Sequence, residues 1–243
     1  MPLLADLSQR NLQAELMDEP DLDPDVHRLA LGGLARINRW SRSTEILWPS
    51  VRRAARAAGL GAPGKPLRVL DVASGGGDIA LRLCAKAGHA RIAIEILGLD
   101  ISTVAVEYAR GRAQAAAAPI AFEVHDVLRE PLPGGFDVVM CSLFLHHLAA
   151  ADATRLLRSM AAAAGRIVLV NDLRRSRIGY LLAHMACRVL TRSPVVHVDG
   201  PRSVAGAFSL DEIAKLCNSA GLAPVRIARR WPSRFLLTYE CRL

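Results

Sequence analysis

At 243 residues the chain has the length of one α/β domain with an added lid, and it is ample to bury a core. Hydrophobic residues make up 51% of it, and the net charge of +8 comes chiefly from arginine. No Lys/Arg run exceeds two residues and no basic stretch is interleaved with aromatics, so the charge reads as arginines solvating helix faces rather than as a track for RNA or anionic lipid. Cys84, Cys141, Cys187, Cys217 and Cys241 form no C-x-x-C pair, which argues against a disulfide framework and against a metal site. A reducing cytoplasm is the expected setting. The N-terminus shows no apolar signal core, and no apolar run approaches the length of a membrane span.

Residues 1–60 read as helices forming a lid. Leu12, Leu16 and Met17 make a short helical stripe, broken by the acidic, proline-containing stretch Asp18 to Asp25. That stretch reads as loop solvation and as an N-cap for the next helix, with metal binding the lesser reading. Periodic segments follow at Val26 to Trp40 and Glu45 to Gly59, with Trp40 and Trp48 expected as core anchors. Gly59 to Pro66 is a loop by composition.

The next stretch, Leu67 to Leu83, organises the rest. An apolar run ends at Gly75, Gly76 and Gly77, and a helical pattern begins at Asp78. Strand, tight turn and helix start bring glycine backbone and unpaired N–H groups to one place, a site for a nucleotide-like molecule. Ile92 to Leu99 is a second strand ending at Asp100, and Ser102 is placed to cap a helix running to about Ala117. Ala121 to Val124 and Phe136 to Ser142 are further strands, Asp152 to Ala164 a helix, and Arg166 to Val170 a fifth strand ending at Asn171-Asp172. Ile178 to Leu190 reads as helix and Ser193 to Phe208 as a long loop. Ser209-x-x-Glu212 is a capping box opening a helix to Ala220. Val225 to Ala228 and Phe235 to Glu240 read as a closing antiparallel pair. The fold class is α/β, a Rossmann-like doubly wound sheet, mostly parallel with a C-terminal antiparallel strand.

Gly75-x-Gly77-x-x-Ala80 passes by letters as a dinucleotide fingerprint, with Asp100 near the distance expected of a ribose acid. Asp71 argues the other way. Near the strand end it would face the ligand, and a carboxylate there disfavours a pyrophosphate. It suits an ammonium or a sulfonium, both of which S-adenosylmethionine (SAM) carries.

These residues carry a resemblance. V-L-D-V-A-S-G-G-G-D resembles the first motif of class I SAM-dependent methyltransferases, in particular the ubiquinone/menaquinone-biosynthesis enzymes. G-L-D-I-S (Gly98 to Ser102) is similar to the family's ribose-binding strand end, and H-D-V (His125 to Val127) to its adenine-binding turn. Phe136 to Leu148 resembles the strand that lines the transfer site. The resemblance implies a cofactor site of Asp71, Ala73, Ser74, Gly75, Gly77, Asp100, Ile101, Asp126, Val127 and Ser142, with SAM as cofactor and S-adenosyl-L-homocysteine as product. It divides the chain into the lid, 1–60, and the methyltransferase domain, 61–243, with 178–208 as an acceptor-pocket insert, and it makes Asn38, Trp40 and Trp48 of the lid candidates for the substrate pocket, the alternative to core anchoring for the two tryptophans.

A phenol or enol acceptor must lose a proton, which a histidine takes near neutral pH. His147 and His146 follow the fourth strand and are the candidate catalytic residues, although both also suit the start of the next helix. His184 and His197 are further candidates. The fourth strand lacks the Asn/Asp-Pro-Pro-aromatic run of nucleobase amino-methyltransferases, so nucleic acid is not an expected partner. The expected acceptor is a small phenolic, quinol-like or polyketide-type molecule, methylated on oxygen or carbon. The alternatives are an NAD-dependent oxidoreductase and a non-catalytic SAM-binding domain. Oligomeric state is left open by the sequence.

Overall fold

The computed structural model describes residues 6–241 except Pro20 and Pro63, so those two prolines of the expected acidic break and loop lie outside the described residues. The core is a seven-stranded sheet in the order β3-β2-β1-β4-β5-β7-β6. β1 (Leu67–Val72), β2 (Ile94–Asp100), β3 (Ile120–Val124), β4 (Phe136–Ser142) and β5 (Ala164–Leu173) pair in parallel. β7 (Arg234–Glu240) runs antiparallel to both β5 and β6 (Arg226–Arg230). β1 is buried at every position except the exposed Arg68, and β4 at every position except the half-buried Asp137. Helices on both faces explain why these strands read as apolar runs rather than alternating ones.

One face carries α2 (Ser43–Ala57), α3 (Asp78–His89) and α4 (Thr103–Ala115), packed through Leu47, Val51, Leu83 and Val106. The other carries α5 (Ala150–Ala163) and α8 (Leu210–Ser219), packed through Leu156, Met160, Ile213 and Cys217. Both halves of the expected capping box on α8 are present. Ser102 caps α4 by accepting from the Ala105 N–H.

A third, smaller core lies outside this sandwich. Ala30 from α1 (Pro24–Trp40), Cys187 from α6 (Arg177–Leu190) and Val195 and Val196 from α7 (Pro194–Gly206) are buried together, with Leu16, Met17 and Leu22 against them. Asp23 caps α1, as the acidic stretch led us to expect.

Three expectations are corrected here. Ser193 to Phe208 is not a loop but mostly helix α7. Ser193 caps it and Pro194 occupies its first turn, where a missing N–H costs nothing. Its Val, Gly and Pro content lowers intrinsic helicity, yet Gly200 lets the helix pack on α6, since a Cβ there would lie 2.2 Å from Cys187 Sγ. The Leu12–Met17 stripe is not a helix. Only a 3-10 turn forms, Leu16–Asp18, in an otherwise irregular strap. The strap is held by Asn11 N–H to Ala205 O and by Asp199, whose carboxylate accepts from the Leu16 and Met17 N–H groups at 3.0 Å. Trp40 is not a core anchor: it is exposed and packs against Trp231, the rings tilted by 56° with centroids 4.8 Å apart.

Candidate active site

The C-terminal ends of β1, β2 and β4 open into one cavity of about 910 Å³. Such ends are where α/β sheets place ligands, because the connections diverge there. At the end of β1 the chain turns through Ala73 and Gly75, at φ 55° and 52°. No atom lies within 4 Å of a Cβ built on Gly75, which faces the cavity. Asp100, at the end of β2, accepts from the Gly75 N–H at 2.7 Å and the Ser102 N–H at 2.9 Å. One carboxylate thus ties the glycine turn to the start of α4. Burial pushes its carboxyl upward against those two bonds. Ile101, Asp126 and Val127 continue this wall. Asp126 also accepts from the Leu128 N–H at 3.0 Å, so it shapes its own turn. Ser74 Oγ is buried at the wall with no hydrogen-bond partner.

Ser142, Leu143, Phe144, His146 and His147 form the other end. Leu143, at φ 58°, turns the chain out of β4, and a 3-10 turn, Leu145–His147, presents both imidazoles. The histidines therefore precede the next helix rather than begin it, since α5 starts at Ala150. His146 Nδ1 lies 2.7 Å from Oδ1 of Asp172, a residue of β5. Burial would raise the Asp172 carboxyl, but His146 beside it holds it below the usual carboxylate range. His147 Nδ1 lies 3.1 Å from Asp18 Oδ2, and Glu15 Oε1 lies 3.8 Å from Nε2 of each histidine. Burial opposes charge on His147, yet the Asp18 hydrogen bond and Glu15 outweigh it and raise its pKa to about 9. Glu15, His146 and His147 offer atoms within 4.8 Å of one another, a spacing that a metal ion could also use. A cationic His147 between two carboxylates accounts for the cluster by charge alone.

The third wall comes from outside the sheet. Leu31, Leu34, Asn38 and Trp40 of α1 meet Gly179, Leu182, Ala183 and Ala186 of α6 across the cavity. Arg234, buried at the rim, donates to Ser43 and, at 3.4 Å, to Asn38 Oδ1, and Asn38 donates to Asp78. Burial lowers the Arg234 pKa to about 10, which leaves it charged at neutral pH.

Ten of the twelve residues singled out in sequence line this one cavity. Asp71 and Gly77 do not. Asp71 is buried behind the wall, and burial, with Asp78 and Asp100 nearby, pushes its carboxyl well up. Gly77 faces inward: a Cβ there would lie 2.6 Å from Phe122 Cζ and 3.0 Å from Ala109 Cβ. Its glycine serves packing at φ 69° rather than ligand approach. His184, His197 and Trp48 also lie outside the cavity wall, and His197 is engaged by the Thr191 carbonyl. Sequence reasoning missed Glu15, Asp172 and Arg234. Only Asp172, a carboxylate at a strand end, carried a local signal.

The solved structure of a plantazolicin methyltransferase, in complex with a triazolic desmethylPZN analog and SAH, has the same fold. It is 12% identical, superposes with a TM-score of 0.68, and the match covers 90% of this chain and 92% of that one. The chain has a Rossmann-like methyltransferase fold. Within the methyltransferase fold, residues 69–164 match the family model described as a methyltransferase domain. The demethylmenaquinone methyltransferase of Deinococcus radiodurans is 39% identical over 123 residues, 49% of this chain and 48% of that protein. The ubiquinone biosynthesis O-methyltransferase of Ralstonia nicotianae is 29% identical over 167 residues, 66% of this chain and 64% of that protein. The matches thus span about half, and at most 64%, of these curated relatives. No helix among the described residues is long and apolar enough to cross a membrane.

Proposed function

We propose that this chain binds SAM and transfers its methyl group to a small organic acceptor, a phenolic, quinol-like or polyketide-type hydroxyl or carbon. The observation that carries the reading is the continuity of one cavity, from Asp100 and the Gly75 turn at one end to His146 and His147 at the other. The residues present suit the cofactor: Ser74 offers an unpartnered buried hydroxyl, and Gly75 presents backbone where no side chain intervenes. Asp100 keeps acceptor capacity for ribose hydroxyls, and Asp126 for an adenine amino group. When bound, SAM supplies a methyl carbon already activated by its sulfonium, so the protein's task is alignment and exclusion of water.

His146 is the group placed to take the acceptor's proton. With Nδ1–H directed at Asp172, its Nε2 is the free acceptor, and the imidazolium formed on protonation is stabilised by that carboxylate. His147, held cationic, is suited to stabilise the anionic oxygen rather than to accept a proton. The roof of α1 and α6 encloses the acceptor in a largely apolar space. The curated relatives' names, both of methyltransferases in quinone synthesis, support a quinol-like acceptor.

Titration calorimetry with SAM and with NADH, followed by radiolabelled methyl transfer into a panel of phenols and quinols, tests the reading. Heat with SAM and label in a phenol are the expected results. Heat with NADH alone would replace it by an oxidoreductase, and SAM binding without transfer to any acceptor by a non-catalytic domain.

A further inference from the structure

We propose that the outer face of α6, together with the Trp40–Trp231 pair, docks on an anionic lipid membrane. Helix α6 is apolar on two faces. The inner one, Gly179, Leu182, Ala183 and Ala186, lines the cavity. The outer one, Ile178, Leu181, Met185 and Val189, is a single stripe at helical spacing, and it is exposed, with Ile178 at 72% and Val189 at 79%. A helix that is apolar beyond its buried face normally has a partner there. Trp231 and Trp40, both exposed, extend the apolar surface through the β6–β7 turn, which is tied to the start of α6 by Ser176 Oγ and Ser233 Oγ at 2.6 Å.

Along the two segments that carry this surface the charge has one sign. No Asp or Glu occurs from Leu173 to Val198 or from Gly221 to Tyr239, while Arg177, Arg188, Arg192, Arg226, Arg229 and Arg230 in those segments are exposed. A second copy of the chain would bring arginine against arginine, and a nucleic acid would leave the apolar stripe in water. An anionic bilayer meets both features, with apolar side chains in the acyl boundary, tryptophans at the headgroups and arginines on the phosphates. The contact is interfacial, since no described helix is long and apolar enough to span. Because the inner face of α6 roofs the cavity, docking sets that roof on the lipid. Entry of an apolar acceptor from the bilayer would follow, a consequence that rests on the methyl-transfer reading; the docking itself does not.

Flotation of the full chain with vesicles is the test. The chain is expected to float with phosphatidylcholine–phosphatidylglycerol vesicles, to stay behind with phosphatidylcholine alone, and to be released as salt is raised. The double variant Met185→Glu, Val189→Glu should lose flotation while keeping its heat of SAM binding and its melting temperature. Should that variant unfold, Arg229→Glu with Arg230→Glu, on the exposed turn, should lower flotation severalfold. A chain that ignores phosphatidylglycerol, folded variants that float undiminished, or a dimer in light scattering that the double variant dissociates would overturn the proposal. Flotation with no SAM binding would strike only the methyl-transfer reading, and SAM binding with no flotation only the docking.

Discussion

His146 Nδ1 and Asp172 Oδ1 lie 2.7 Å apart, both residues buried, at the point where β4 and β5 leave the sheet. The pair fixes which imidazole nitrogen faces the cavity. Asp172→Asn preserves the size of the side chain but removes the charge that supports an imidazolium. We expect turnover with a phenolic acceptor to fall by about 10²–10⁴-fold, the usual contribution of a general base. SAM affinity should be unchanged, and undiminished turnover would show that the proton leaves by another route.

Asp100 serves both structure and ligand. In Asp100→Ala the Gly75 and Ser102 N–H groups lose their shared acceptor. Calorimetry should record SAM binding weaker by about 1.5–3 kcal/mol, the range for hydrogen bonds to a charged group. Full affinity in this variant would mean that the ribose lies elsewhere.

The two outer glycines of the turn should separate in their effects. Gly77→Ala drives a methyl group into Phe122 and Ala109, so the melting temperature should drop and SAM binding fall only through unfolding. Gly75→Ala meets no atom within 4 Å but sits at φ 52°, a strain of about 1–2 kcal/mol. It should stay folded and bind SAM poorly, because its new methyl points into the cavity. Equal melting temperatures for the two would contradict the orientation of the turn.

The strap carrying Glu15 and Asp18 should loosen in alkali. The folded pKa of His147, about 9, lies above its ordinary value of 6.5. The ion pair with Asp18 therefore contributes fully below pH 6.5 and is lost as pH rises through about 9. Amide exchange in residues 15–19, corrected for its intrinsic pH dependence, should quicken across that window. Asp18→Asn should remove most of the pH dependence, and a flat profile in the unaltered chain would show that titration of His147 does not hold the strap.

What the sequence determined by itself was local in cause. The apolar run into Gly75 marks a strand and a turn, and Ser102 and the Ser209–Glu212 box mark helix starts. Each depends on residues a few positions apart, and each stands in the structure close to where it was expected. Tertiary structure alone decided the rest. Asp18 reaches His147 across 129 positions, and Asp172 reaches His146 across 26, distances over which no periodicity carries information. Whether Gly77 faces ligand or Phe122 depends on how α4 and β3 pack beneath the turn, and the burial that pushes the Asp71 carboxyl upward depends on the completed sheet. Helix α7 forms against its own weak propensity because burial of Val195 and Val196 with α6 and the strap outweighs it. Backbone pattern is written in neighbouring residues, whereas side-chain direction, burial and charge pairing exist only once distant segments share a core.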